Sequence, residues 1–480
     1  MRECSGTRGL TAGAGTVVRM ALHLHEPSAT EDVVAPAHRH PGTDPVPRLR
    51  LAPDGMAADD ARMLVEDELM LDGNSRLNLA TFVTTWMEPQ ARELMDACLD
   101  KNMIDKDEYP QTAELERRCV NILSELWHAA PGADATGCST TGSSEACMLG
   151  GLALKWRWRE RRQAAGLDAS RPNLVMGANV QVCWEKFCRY WDVEARCVPV
   201  TAEAPYLTAE GAAAHCDENT IGVVAILGST FEGSYEPVAE IAAALDALAA
   251  GGGPDVPIHV DGASGGFIAP FVDPELVWDF RLPRVQSINA SGHKYGLVYP
   301  GIGWVVWREP AALPEELVFK VDYLGGEMPT FALNFSRPGA QVAAQYYTFV
   351  RLGFEGFRRV QQGSRDVATA LAAKIAELGP FALVSDGSHL PVFAFRLKDD
   401  VTGYSVYDVS EHIRARGWII PAYRMPEGIH DMAVLRICVR SGFTHDLARI
   451  LVEDLGRVVE RLEAHGSSVP ADDSRSSFHH

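Results

Sequence analysis

Apolar residues recur along this chain with two different periods, and the period in force decides what each segment becomes. Short apolar runs stand at Asn173–Gly177, Ile221–Leu227, Val256–Val260, Val285–Ala290 and Ile302–Trp307. Their length and their flanking Gly, Pro, Asn and Asp residues predict buried strands. Between them, Ser144–Arg162 and Val238–Ala250 fit helices. Strands alternating with helices predict an α/β fold with a mostly parallel sheet covered on both faces. In such sheets ligands sit beyond the carboxyl ends of the strands.

The pattern changes near residue 345. A long helix at Gln341–Ala376, strands at Val392–Leu397 and Val434–Val439, and a helix at Val406–Arg416 predict a smaller α+β domain. Residues 1 to about 55 are rich in Gly, Ala, Thr, Pro and His without any period, and read as a mobile arm. Met20 opens the segment MALHLHEP, which resembles a natural start more than Met1 does. From Ala57 to Leu71 apolar residues return at helical spacing, with Asp59, Asp60, Glu66 and Asp67 on the polar side. That helix is expected to pack against a partner or the main body. The expected organisation is an arm and helix over 1–76, a large domain over 77–345, a small domain over 346–466 and a polar tail over 467–480.

Composition narrows the picture only a little. A length of 480 residues suits two or three domains. An excess of 64 acidic over 44 basic residues gives a formal charge of −20, which repels nucleic acid and anionic membranes. An ordinary acidic cytosolic protein has the same charge, so no function can be drawn from it. Ten cysteines without a CxxC pair or regular spacing argue against a disulfide framework and a zinc site, and fit a reducing cytoplasm. No apolar run approaches membrane-spanning length, and no basic segment with an apolar core opens the chain.

The candidate chemistry lies at the strand ends. Lys294, in Ser291-Gly292-His293-Lys294-Tyr295, comes just after the Val285–Ala290 run, and Asp261 ends the Val256–Val260 run. A lysine amine that condenses with an aldehyde and a carboxylate at a pyridinium nitrogen are the two groups pyridoxal phosphate requires. Thr141-Gly142-Ser143-Ser144-Glu145-Ala146 opens a strongly helical run, where backbone N–H groups, hydroxyls and the helix dipole favour a phosphate. Each motif has a plainer reading: a solvated lysine, a turn aspartate, a serine N-cap with glutamate after it. Together, in this order, they favour a cofactor site. Gly150-Gly151 weakens the helix it sits in and is expected to permit close packing. His293 is open between a structural histidine, a phosphate contact and a proton carrier.

Long stretches then become recognisable. They include LDGNSRLNLATF (71–82), KNMIDKDEYPQ (101–111), TGSSEACMLGGLALKWRWR (141–159), VQVCWEKFCRYWDVE (180–194) and CDENTIGVV (216–224). Others are HVDGASGGFIAPF (259–271), SGHKYGLVYPGIGWVVWR (291–308), VDYLGG (321–326) and NFSRPGAQVAAQYY (334–347). From about Asp67 to Phe443 the chain resembles the glutamate decarboxylases, pyridoxal-phosphate enzymes of fold type I with a seven-stranded large-domain sheet.

That resemblance implies a role for each matching residue. Lys294 carries the cofactor, Asp261 pairs with its ring nitrogen, Gln181 lies over the ring face, Ala263 touches the ring and Thr230 lies near its hydroxyl. Ser143, Ser144, Ser291 and His293 hold the phosphate, with Ser336 reaching it from a neighbouring subunit, which requires at least a homodimer. The family builds larger assemblies from dimers, so a hexamer made as a trimer of dimers is expected. Thr81, the Phe82 backbone and Asp105 receive the distal carboxylate of L-glutamate, with Asn102 nearby, and Arg440 serves the α-carboxylate side. Tyr323 and Leu324 belong to a covering loop. The implied reaction is α-decarboxylation to 4-aminobutyrate in the cytoplasm, with no metal. Two carboxyl groups at contact cannot both ionise, so Asp105 facing a substrate carboxylate fits activity in mild acid.

Two alternatives remain beside this expectation. A decarboxylase of aspartate or an aromatic amino acid uses the same cofactor residues, but an aromatic substrate has no use for Thr81 and Asp105. A cofactor fold without catalysis, acting as a scaffold, needs none of the substrate residues. The terminal Phe478-His479-His480 resembles the tail of bacterial relatives in which a histidine plugs the site at neutral pH, although His480 here is the last residue. No basic tryptophan-bearing helix lies beyond the small domain, so calmodulin binding is not expected. The N-terminal arm does not match the family, and membrane recruitment has no support.

Overall fold

The computed structural model describes residues 49–51, 54–130, 135–321 and 328–466. Met20, Tyr323, Leu324 and His480 lie outside the described residues. Contacts divide the chain into two units, one ending at Gly73 and the other starting at Asn74. In the first, the expected helix forms at Ala58–Leu69 and buries none of its residues.

The second unit is built on seven strands: β1 (Thr136–Thr140), β2 (Asn173–Gly177), β3 (Glu194–Val198), β4 (Thr220–Ile226), β5 (Ile258–Asp261), β6 (Val285–Ala290) and β7 (Gly303–Trp307). They lie in the order β1-β7-β6-β5-β4-β2-β3. Strands β2 to β6 pair in parallel, and β7 runs antiparallel to both β6 and β1, which makes the sheet mostly parallel as expected. The apolar runs at residues 173, 221, 256, 285 and 302 become β2, β4, β5, β6 and β7. The two strands the pattern missed, β1 and β3, are the sheet edges. One carries Thr, Gly, Cys and Ser, and the other is half exposed, so neither needs an apolar run.

Alternating side chains serve the two faces, as the period of two requires. Leu174 and Met176 of β2 pack in one apolar cluster with Leu152, Leu154, Trp184 and Phe187. Val175 between them belongs to the cluster on the other face, with Val223, Ile241 and Leu245. The helix Ser143–Ala164 crosses the first face at very short range. A Cβ on Gly150 would meet His259 Cε1 at 2.4 Å, and one on Gly151 would meet Phe187 Cε2 at 2.6 Å. Gly150 therefore sets how closely this helix approaches the sheet, and Gly151 how closely it approaches the helix Val182–Tyr190.

A hairpin comes next, with β8 (Phe319–Val321) and β9 (Met328–Thr330). The long helix Ala340–Glu377 is interrupted where the sequence pattern predicts none: Gly353 takes φ 57° and ψ −175°, a conformation that favours glycine. Beyond it, β10 (Phe381–Leu383), β11 (Val392–Leu397), β12 (Ala422–Arg424) and β13 (Ala433–Cys438) form an antiparallel sheet in the order β10-β11-β13-β12. The helices Val406–Arg414 and His445–His465 bury Val409, Ile413, Leu451 and Leu455 in a cluster with Phe393, Phe395 and Leu435 of this sheet.

One extended segment, residues 77–85, runs between the two sheets. Leu79 N–H donates to Ile419 O (2.9 Å), Cys438 N–H donates to Leu79 O (2.9 Å), and Thr84 N–H donates to His293 O (2.7 Å). Among the described residues no helix is long and apolar enough to cross a membrane.

Candidate active site

The carboxyl ends of five parallel strands open onto one cavity of about 330 Å³. Each strand lends this cavity residues from the loop at its end: β1 the Thr141–Ser144 turn, β2 Gln181, β4 Gly228 and Thr230, β5 Asp261 and Ala263, and β6 Ser291, His293 and Lys294. Every side chain expected at the cofactor, apart from that of Ser336, lines this space. The rule for parallel sheets explains why residues so distant in sequence converge.

Asp261 is buried as the last residue of β5, and its carboxylate accepts four hydrogen bonds. Trp184 Nε1 (2.9 Å) and Cys147 Sγ (3.6 Å) donate to Oδ2, while Asn289 Nδ2 (3.1 Å) and Ala263 N (3.1 Å) donate to Oδ1. Behind it the network continues. Because Asn289 gives its amide hydrogens to Asp261, its Oδ1 accepts from His259 Nε2–H at 2.8 Å. His259 Nδ1 then accepts from the Ser287 hydroxyl at 2.7 Å. The β5–β6 register pairs His259 with Ser287 and Asp261 with Asn289, so polar residues at i and i+2 on both strands make a ladder.

Lys294 lies just past the end of β6. Burial lowers the pKa of its amine, and the charge of Asp261 pushes back. Its Nζ has one long contact, Ser264 Oγ at 3.4 Å, and lies 5.1 Å from the centre of the Phe82 ring. Its backbone is held by the crossing segment, since Thr84 Oγ1 donates to Lys294 O at 2.5 Å. The amine is thus fixed at its root and free at its tip.

The phosphate end is equally open. Ser143 and Ser291 face each other at 2.6 Å between hydroxyls, and Ser143 begins the helix Ser143–Ala164. His293 Nδ1 is buried with no hydrogen-bond partner among the described residues. An orphaned ring nitrogen, two hydroxyls and a helix N-terminus in one corner fit a bound phosphate. Glu145 braces this corner. It accepts from Thr141 N (2.8 Å) and Thr141 Oγ1 (3.0 Å), and from Asn334 N and Nδ2 (both 3.1 Å).

Burial pushes both histidines of the site down to about 4, assisted at His293 by the neighbouring Lys294 charge. An unfolded histidine titrates near 6.5. Between pH 6.5 and 4 the unfolded chain therefore binds protons that the folded chain does not, and acid favours unfolding. For the fully buried His259 the loss of stability between pH 7 and 5 is expected to be about 2 kcal/mol. Urea unfolding of the cofactor-free protein at the two pH values measures it, and His259→Gln should flatten the dependence. An unchanged slope in that variant would remove His259 as the cause.

The substrate-side residues fall into two groups. Phe82 and Thr81 sit on the crossing segment, where Thr81 Oγ1 accepts from Val83 N at 3.1 Å. Arg440 is buried beside them. Its Nη1 donates to Val83 O (2.9 Å) and Thr85 Oγ1 (2.8 Å), and its Nη2 to Ser75 O (3.3 Å) and Asn78 O. Its Nε is buried without a hydrogen-bond partner among the described residues. Asn102 and Ser336 form the other group: Asn102 Nδ2 donates to Ser336 Oγ at 3.3 Å, and Asp105 N donates to Asn102 O at 3.2 Å. None of these three lines the cavity of its own chain.

Sequence reasoning missed Trp184, Asn289, His259, Thr84 and Cys147. Asn289 and His259 carried a readable signal, because a polar residue at every second position inside a buried strand has to be satisfied by something.

The pyridoxal-dependent decarboxylase conserved domain matches residues 53–398. A glutamate decarboxylase of Aliivibrio fischeri is 54% identical over 423 residues, covering 88% of this chain and 91% of that protein. Glutamate decarboxylase 5 of Arabidopsis thaliana is 50% identical over 443 residues, covering 92% and 88%. Among solved structures, a Lactobacillus brevis glutamate decarboxylase superposes with a TM-score of 0.85 at 48% identity, covering 89% of this chain and 97% of that one.

Proposed function

Because this chain belongs to the pyridoxal-dependent decarboxylase family, we infer that it is a glutamate decarboxylase, converting L-glutamate to 4-aminobutyrate and CO₂ with pyridoxal phosphate. The observation that carries the reading is the pair Asp261 and Lys294, facing one cavity from the ends of neighbouring strands. Identity near 50% to glutamate decarboxylases over most of the chain supports the substrate.

Bound pyridoxal phosphate supplies an aldehyde that bonds covalently to amines and a protonated ring that withdraws electrons. Lys294 would hold the aldehyde, and burial favours the uncharged amine that attachment needs. Asp261, oriented by Trp184 and Asn289, keeps a proton on the ring nitrogen. Ser143, Ser144, Ser291 and uncharged His293 hold the phosphate, while Gln181, Ala263 and Thr230 bound the ring. Once CO₂ has left, Lys294 is placed to carry a proton to the substrate Cα, so each turnover consumes one proton. The Phe82 ring, 5.1 Å from the Lys294 amine, would help to keep water from it.

We further propose that Thr81, Phe82, Asn102 and Asp105 select the distal carboxylate and that Arg440 serves the α-carboxylate side. Asn102 and Ser336 are hydrogen-bonded to each other and, like Thr81, Phe82 and Arg440, do not line their own cavity, which is compatible with their joint service to a neighbouring subunit. The protein is accordingly at least a homodimer, with a hexamer of three dimers the expected assembly, and it works in the cytoplasm. The domain limits near 77, 346 and 466 belong to the same proposal.

The deciding experiment measures CO₂ release from glutamate, aspartate and aromatic amino acids across pH. Glutamate alone should react, with one proton taken up per CO₂. Equal or faster release from aspartate or an aromatic amino acid would overturn the substrate assignment.

A further inference from the structure

Cysteine spacing gave no reason to expect a metal site, but proximity in space is something spacing does not encode. Cys147 sits in the second turn of the helix Ser143–Ala164, and Cys183 in the first turn of the helix Val182–Tyr190. Folding brings both thiols to the floor of the cofactor cavity, beside the Asp261 carboxylate. One ligand atom from each of the three residues lies within 4.8 Å of the others, and all three residues are buried.

We propose that Cys147, Cys183 and Asp261 form a site for a thiophilic divalent cation, such as Zn²⁺ or Cd²⁺, that is open only while the cofactor is absent. The chemistry of the donors carries this. Two thiolates and a carboxylate are a donor set suited to Zn²⁺ and its heavier congener, and all three residues line the cavity, from which a water would complete a tetrahedron. Tetrahedral zinc with bonds near 2.3 Å holds its sulfurs about 3.8 Å apart, so the three atoms need to close by about 1 Å at most.

Charge balance makes the exchange feasible in a buried place. Two positive charges enter with one M²⁺ and two leave as the thiol protons go to solvent, so the net charge of the cluster is unchanged. The cavity therefore gains a metal without burying net charge, which is the usual obstacle to such a site.

Exclusivity rests on the proposed cofactor reading. The Asp261 oxygen that binds metal is part of the carboxylate that would hold the ring proton. A metal-bound chain would then be unable to load its cofactor, and a loaded chain would be closed to the metal. Excess thiophilic metal would act on the fraction of enzyme caught between losing and regaining cofactor.

The test titrates Cd²⁺ into the full chain, cofactor-free and cofactor-loaded, tracking the ultraviolet thiolate-to-cadmium band and proton release. Cofactor-free protein should bind one Cd²⁺ that Cys147→Ser/Cys183→Ser does not, with two protons released per metal. Loaded protein should lack that site. Should the double variant fail to fold, the ¹¹³Cd resonance of the unmodified chain reports the donor set, and a shift for two sulfurs with oxygen supports the site. Equal Cd²⁺ uptake by variant and parent, or a resonance without two sulfur donors, overturns the proposal. If Cd²⁺ binds at these thiols but pyridoxal phosphate neither displaces it nor binds alone, the failure belongs to the cofactor reading.

Discussion

Lys294→Ala should lose at least about 10⁴-fold in kcat, the upper end of what a single proton-transfer group supplies. The residue has two tasks that no neighbour can take over: attachment of the cofactor and delivery of the proton to Cα. The adjacent His293 is held uncharged by burial. The fold should survive the change, because the amine's one hydrogen-bond contact is Ser264 Oγ at 3.4 Å and the backbone stays tied to Thr84. Steady-state CO₂ release beside a thermal melt separates the two effects. Retained turnover in a folded variant would overturn the active-site assignment.

Asp261→Asn is the second large effect, and it arises differently. A charge pair about 4 Å apart in a partly screened site is worth about 4 kcal/mol, or roughly 10³-fold in rate, when the charge is needed only as electrons move. The amide also brings a structural cost. All four groups that meet the carboxylate are donors, so whichever way the asparagine turns, its NH₂ faces donors such as Trp184 Nε1 or Asn289 Nδ2. Leaving such a pair unsatisfied costs about 1–3 kcal/mol of stability. Parallel measurement of kcat and of the urea midpoint is therefore needed. A fall in stability with kcat intact would demote Asp261 from charge carrier to structural residue.

The sequence was most legible where burial is symmetrical. Strands covered on both faces are largely apolar, so β2, β4, β5, β6 and β7 could be read within a residue or two of their ends, even with the buried polar ladder in β5 and β6. The edge strands β1 and β3 meet no such demand and passed as loops. Strand direction was not legible either, since nothing in Gly303–Trp307 marks β7 as the strand that runs against its neighbours. The break at Gly353 was hidden by the helical period continuing on both sides of it. At the site, the motif residues announced themselves, because Lys294, Asp261 and the Ser143-Ser144 pair each sit where a strand or helix begins or ends. Their supports were harder to see. Trp184 and Thr84 reach Asp261 and Lys294 from elements far along the chain, and the contact exists only once the sheet is assembled. Arg440 looked like a free fork for a carboxylate, yet both of its terminal nitrogens are occupied by the 75–85 segment.

That segment has a consequence for how the protein is made. Residues 77–85 leave the ribosome early, but the carbonyls of Ser75, Asn78 and Val83 are satisfied by Arg440, more than three hundred residues later. Cys438, which donates to Leu79, arrives just as late. Pairing across such separations is slow, because the loop must be closed before the contact repays it. During synthesis the large sheet can assemble around β4, β5 and β6 while the segment that braces Lys294 is still unanchored. The nascent chain therefore has its cofactor-binding strands before it has a closed site, and truncation before Arg440 should yield a folded sheet with an open pocket.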